Sequence, residues 1–129
     1  MSRQFTLGKN ERLKSRKLIE QLFNQGKNFN MNPYRVYFII SALPEKESSL
    51  QFGVGAGTRN FKKAVDRNRI KRLTREAWRL QNIELKEKLG VTGKRLIVFF
   101  IYTAKELPEY SVVFEKIKTA IQKLIKTIE

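Results

Sequence analysis

The amino-acid sequence predicts an α+β fold: one domain over residues 1–129, with a single sheet packed by helices in the order α-β-β-(β)-α-β-α. Three observations lead there. A chain of 129 residues is long enough for one sizeable core and short for two. Apolar residues recur at helical spacing in some segments and alternate, or run unbroken, in others. No internal repeat, low-complexity tract or composition shift marks a boundary, and residues 1–10 alone are expected to be flexible.

The elements follow in chain order. Ser15 suits the cap of a helix running to about Asn24, with Leu18, Ile19, Leu22 and Phe23 on its apolar side and Gly26 as its stop. A further short strand fits near Lys27 to Met31. Pro33 then precedes an extended run, Tyr34 to Ala42, with Val36, Phe38 and Ile40 on one face and Arg35, Tyr37 and Ile39 on the other. Pro44 to Ser49 is a polar turn, and Leu50 to Gly57 reads as the hairpin partner, with Phe52, Val54 and Ala56 on one face. A helix spans about Lys63 to Gln81, and a short polar one, Glu84 to Leu89, ends at Gly90. Leu96 to Tyr102 is apolar on both faces, which suits a central strand. Pro108 introduces the last helix, whose buried stripe is Phe114, Ile117, Ile121, Leu124 and Ile128.

Charge narrows the function. Lys and Arg number 27 against 12 Asp and Glu, a net +15, which suits a polyanionic partner. The excess is concentrated. Residues 1–27 carry net +5 and residues 59–79 carry net +7. Cys and His are absent and Asp66 is the one aspartate, so thiolate or imidazole nucleophiles, Ser-His triads and His or Cys metal sites are excluded. No carboxylate cluster suggests a two-metal nuclease site, so neither catalytic residues nor a protein-bound metal are expected. The longest apolar run, Leu96 to Tyr102, is far below the roughly 20 residues of a membrane span. A cytoplasmic protein without membrane association is expected.

The larger basic segment falls on one helix. On a wheel advancing about 100° per residue, Ile70, Leu73, Ala77 and Leu80 form the expected core stripe, and Asn68, Lys71, Arg72, Arg75 and Arg79 share the opposite side. Arg67 lies at the margin and Arg69 elsewhere: either the helix begins at about Asn68, or Arg69 serves the fold. Like charges at i,i+4, as in Lys71, Arg75 and Arg79, cost stability. The guanidinium fork, however, pairs bidentately with phosphate, and Asn68 can read a sugar hydroxyl or base edge.

The run Arg67-Asn-Arg-Ile-Lys-Arg72, continued by Leu73-Thr-Arg-Glu-Ala-Trp78, resembles the arginine-rich signature of the bacterial ribonuclease P protein component. The strand Phe52-Gly-Val-Gly-Ala-Gly-Thr-Arg59, Ala64-Val65 before the signature, and Arg12-Leu-Lys-Ser15 with the helix ending Leu22-Phe23 extend the resemblance over about residues 9–103. Gly57-Thr58-Arg59 stands where the family has Ser-Lys-Lys, Phe61-Lys-Lys63 replaces a small turn, and Ile19 replaces a frequent aromatic residue.

The resemblance implies an α/β sandwich with a mixed sheet and a left-handed βαβ crossover containing the basic helix. It implies the accessory subunit of a ribonucleoprotein endonuclease that removes the 5′ leader of precursor tRNA. The catalytic subunit is then RNA, Mg²⁺ is held by that RNA and the substrate, and one protein joins each RNA. By this resemblance Arg67, Asn68, Arg69, Lys71, Arg72 and Arg75, with Arg79, Lys62 and Lys63, face the catalytic RNA. Ile19, Phe23, Arg35, Tyr37 and Arg59 are candidates for a leader-binding groove, since single strands are held by aromatic stacking with flanking cations. Ile19 and Phe23 fit ordinary core packing equally well. Arg12, Lys14 and Arg16 suit additional phosphate contacts. Three rivals fit less. A ribosomal protein shares the composition but leaves the Arg-Asn-Arg helix beside an aromatic strand unexplained. A helix-turn-helix DNA binder does not suit the β-rich half. A stand-alone enzyme lacks a motif, because Gly53-x-Gly-x-Gly57 has neither dinucleotide nor P-loop spacing.

Overall fold

A computed structural model describes residues 12, 13, 15–42 and 49–129. The stretch 1–10, Lys14 and nearly all of the Pro44–Ser49 turn lie outside the described residues. Among those described, the order is α1 (Arg16–Gln25), β1 (Lys27–Met31), β2 (Tyr34–Ala42), β3 (Leu50–Ala56), α2 (Ala64–Gln81), α3 (Ile83–Thr92), β4 (Lys94–Tyr102) and α4 (Tyr110–Ile128).

Local chemistry sets several of these ends. The Ser15 hydroxyl accepts from the Leu18 amide at 3.3 Å, satisfying one of the free N–H groups of the first turn of α1. At the other end the Gly26 amide donates to the Leu22 carbonyl at 2.9 Å, and a Cβ on Gly26 would collide with that carbonyl oxygen. A side chain is therefore excluded where α1 turns into β1. The third helix does not stop at Gly90. It continues to Thr92, and Gly93, in the left-handed region at φ 66°, ends it. Gly90 sits exposed within the helix with no atom crowding its Cβ position.

The strands pair in the order β1-β2-β4-β3. β2 is antiparallel to β1 and β4, whereas β3 is parallel to β4, so the sheet is mixed. The expected hairpin between β2 and β3 is not formed, because β4 lies between them. The reason is burial. β4 carries large apolar side chains on both faces and needs cover on both, which only a central place provides. β3 offers Gln51, Gly53 and Gly55 on one face and takes the edge. Its parallel pairing with β4 requires a crossover, which α2 and α3 supply.

Helices cover the two faces of the sheet. Tyr34, Val36, Phe38, Phe52, Val54, Val98 and Phe100 face α2, α3 and α4 in the larger core. On α4, Val113, Ile117, Ile121, Leu124 and Ile128 are buried, each contributing about 1.5–3 kcal/mol of apolar burial. The opposite face holds Ile97 with Leu13 and Leu22, and half-buried Leu18, Ile19, Tyr37, Ile39 and Phe99 pack around them under α1.

The core stripe of α2 is turned from the expected one. Ile70, Thr74, Ala77 and Trp78 are buried, Leu73 is half-buried, and Leu80 is 39% exposed. Trp78 accounts for the rotation. Its ring stacks on Phe52 at 4.5 Å and 13°, and a large aromatic gains more from burial than Leu80 would. Thr74 comes inward with it, donating to the Ile70 carbonyl at 2.8 Å and meeting the Tyr34 hydroxyl at 2.6 Å.

Candidate nucleic-acid interface

The basic segment begins before α2. Arg59, Lys62 and Lys63 are exposed in the stretch between β3 and α2. Asn60 ties this stretch to the end of β4, donating to the Thr103 carbonyl at 3.2 Å. The Arg67 guanidinium bends back and donates through Nη1 to the Phe61 and Lys62 carbonyls at 2.7 and 2.9 Å. These bonds pin the lead-in to the helix. Asp66 in the first turn complements the positive end of the helix dipole.

Because α2 starts at Ala64, the whole Arg-Asn-Arg run is helical, and Arg69 projects to solvent on a flank. Asn68, Arg72 and Arg75 are exposed and Lys71 is half-buried. Among the described residues, Arg72 and Arg75 have no hydrogen-bond or ion-pair partner. Arg79 differs. Its guanidinium forks onto the Glu76 carboxylate, so its charge is largely answered within the helix. Among the described residues, the cationic row without a partner is therefore Lys71, Arg72 and Arg75, with Asn68 one turn before Arg72.

On the opposite face of the sheet, the register aligns side chains in rows. Asn30, Arg35, Ile101 and Gly55 form one row, and Asn28, Tyr37, Phe99 and Gly53 form the next. Phe23 of α1 leans over the second row. Its ring lies edge-on to Tyr37 at 4.9 Å and to Phe99 at 5.6 Å, and it remains 42% exposed. Arg35 donates to Asn28 Oδ1 at 3.0 Å, which holds its guanidinium across the sheet surface. The result is a shallow aromatic trough with a cation beside it. Ile19 of α1 is half-buried in the same apolar cluster as Tyr37 and Phe99. Arg59 follows the end of β3 that adjoins the Arg35 row, since Ala56 pairs Tyr102 and Tyr102 pairs Tyr34. Arg16 is exposed on the first turn of α1, and Lys14 lies outside the described residues.

Phe99 is the trough residue that sequence reasoning missed. A strand apolar on both faces hides which of its side chains meets solvent. The available signal was Gly53-x-Gly55. A Cβ on Gly53 would stand 2.6 Å from Phe99 Cδ2, and one on Gly55 3.2 Å from its Cζ, so the ring occupies the space two side chains would fill.

The two surfaces meet at the outer edge of β3. Arg12 forms a parallel bridge with Phe52, and the Leu13 amide donates to the Phe52 carbonyl at 2.9 Å. Arg75 reaches the same edge from α2. Burial, then the Arg12 charge, lowers its pKa below the ordinary guanidinium value. No set of three His, Cys, Asp or Glu side chains comes together among the described residues, so they offer no carboxylate cage for a hydrated cation. Nor is any described helix long and apolar enough to cross a membrane.

Comparison with known proteins agrees with this architecture. The chain is 34% identical over 119 residues to the ribonuclease P protein component of Porphyromonas gingivalis (strain ATCC 33277), covering 92% of this chain and 83% of that protein. It is 26% identical over 132 residues to that of Chlorobium phaeobacteroides, covering 95% and 88%. A solved structure of the Staphylococcus aureus RNase P protein superposes with a TM-score of 0.56 at 18% identity, over 92% of this chain and 98% of that one. A mutant of that protein with defective mRNA degradation activity superposes with a TM-score of 0.57 at 19% identity, over 92% and 90%. A family model described as Ribonuclease P matches residues 7–129, and with the relative at 34% identity it shows that this chain belongs to the ribonuclease P protein family.

Proposed function

We propose that this chain is the accessory protein subunit of a cytoplasmic ribonuclease P, one copy joining one catalytic RNA. The polar and cationic row on α2, Asn68, Lys71, Arg72 and Arg75, binds the catalytic RNA, with Lys62, Lys63 and Arg69 beside it. The trough formed by Phe23, Tyr37, Phe99 and Arg35 takes the single-stranded 5′ leader of precursor tRNA, with Arg59 at its end. The observation that carries this reading is the division of the surface: a cationic helix face on one side of the sheet and an aromatic trough on the other. Cations bind phosphate without regard to sequence, and aromatic rings stack unpaired bases. The RNA subunit and the substrate hold the Mg²⁺ ions that supply the hydrolytic chemistry. This chain contributes binding and positioning, which acts on a substrate by fixing the scissile phosphate relative to the catalytic groups.

Reconstitution tests this. Protein, catalytic RNA and precursor tRNA are combined at low Mg²⁺ and scored for the mature 5′ end. The protein should restore cleavage and tighten binding of leader-bearing substrate more than of mature tRNA. Cleavage by rigorously RNA-free protein would sink the accessory role, and equal tightening for both RNAs would remove the leader trough.

A further inference from the structure

The aromatic trough and the cationic face of α2 lie on opposite faces of the sheet, and β3 is the strand edge between them. A cleft of ≈ 130 Å³ straddles that edge, lined by Arg12, Arg75, Phe52, Gly53, Val54 and Phe99 among others. That is several times the roughly 30 Å³ share of one liquid water. Phe52 and Val54 belong to the face under α2, whereas Gly53 and Phe99 belong to the trough. The cleft is therefore lined from both faces of the sheet.

Its chemistry is one-sided. Two guanidiniums line it and no carboxylate does, among the described residues. They are not brought together by chance mobility. The β-bridge to Phe52 fixes the backbone of Arg12, and the packed helix fixes that of Arg75. Their mutual repulsion and the partial burial of Arg75 both disfavour the charged form, a cost that an anion between them would remove. The neighbouring wall is an aromatic ring, and the Gly53 backbone beneath it lets that ring lie against the strand.

Resting on the function proposed above, we propose that Arg12 and Arg75 clasp one phosphodiester of a single-stranded RNA segment at the β3 edge. The adjoining base lies against Phe99. The bound strand thereby passes from the aromatic trough around the sheet edge toward α2. The two arginines thus act as one site joining the two surfaces: Arg75, at the end of the α2 row, turns its fork to this strand, while Asn68, Lys71 and Arg72 keep to the catalytic RNA. Each fork supplies paired N–H donors to the phosphate oxygens, and a phosphodiester carries the single negative charge that two flanking cations stabilise.

The test uses the full chain and a fluorescein-labelled hexauridylate, titrated at several salt concentrations. Arg12→Gln and Arg75→Gln should each raise Kd about 3–10-fold, and the double variant should be no weaker than the weaker single variant. All three should reduce the salt slope by the same amount, about 0.7, the loss of one single-strand phosphate contact. Lys126→Gln, on the exposed side of α4, controls for loss of a charge elsewhere and should not change Kd. Arg75→Lys should recover affinity only in part, because it keeps the charge and loses the fork. Thermal melting verifies that each variant is folded. Multiplicative effects in the double variant, unchanged Kd in both singles, or a wild type that does not bind the hexamer would each overturn the clasp. Processing activity is measured separately. Intact processing with no clasp effect leaves the proposed function standing, whereas loss of wild-type processing overturns that function on its own.

Discussion

Tyr34 is 1% exposed, and its hydroxyl meets Thr74 Oγ1 at 2.6 Å beneath α2. Thr74 already donates to the Ile70 carbonyl, so Tyr34 is the donor of the pair. The two groups are then unequal in what their loss leaves behind. Tyr34→Phe removes the donor and leaves Thr74 with its own bond, which should cost about 0.5–1.5 kcal/mol. Thr74→Val leaves a buried phenol without an acceptor and should cost more, about 1–3 kcal/mol, in urea unfolding. The phenol also couples stability to pH. Burial pushes its pKa up from 10.0 to about 12. The unfolded chain therefore loses this proton first, and the stability held by the neutral folded form is full below pH 10 and lost as pH rises toward 12. Burial shifts Tyr102 and Tyr110 in the same direction. Between pH 9 and pH 11 the wild-type urea midpoint should fall, and Tyr34→Phe should show a smaller fall, the difference isolating this one group.

At the scale of the element, α2 separates arginines that look alike in sequence. Arg72 is exposed with no partner among the described residues, whereas Arg79 is forked onto Glu76 and Arg67 donates through Nη1 to two carbonyls. Arg72→Ala should weaken binding to the catalytic RNA and lower its salt slope by about one. Arg79→Ala should change the slope much less, because its charge is already paired; equal slopes would mean that Glu76 releases it on RNA binding. The helices and strands themselves were legible because their signals are local. Ser15 and Gly26 bracket α1, and the alternation from Tyr34 onward defines β2. What was not legible depended on partners distant in the chain. Leu80 and Trp78 both fit an apolar stripe of α2, and only the Phe52 ring across the core selects Trp78. Likewise β2 and β3 read as a hairpin because they are consecutive, and only the two-sided burial of β4 separates them. Phe99 was hidden for the same reason, since its exposure is decided by two glycines more than forty residues earlier.

For the whole molecule, the +15 charge is a standing repulsion that the core must overcome. Polyvalent anions that bind the folded surface should relieve it. Pyrophosphate at millimolar concentration should raise the melting temperature well above that in chloride of equal ionic strength, which separates specific anion binding from screening. The strand order has a consequence for the nascent chain. β4 is the last strand to be synthesised and the one that holds the sheet together. Until Lys94–Tyr102 leaves the ribosome, the strand that pairs with both β2 and β3 is missing and nothing in the sheet links the two. The apolar faces of the first 93 residues lack that strand's cover, and the four-stranded order is complete only once β4 lies between β2 and β3. A parallel pairing across a long crossover is slow to form and exposed to misassembly. The molecule's most vulnerable moment therefore falls during translation, while its strongly basic first half is already outside the ribosome and its central strand is not.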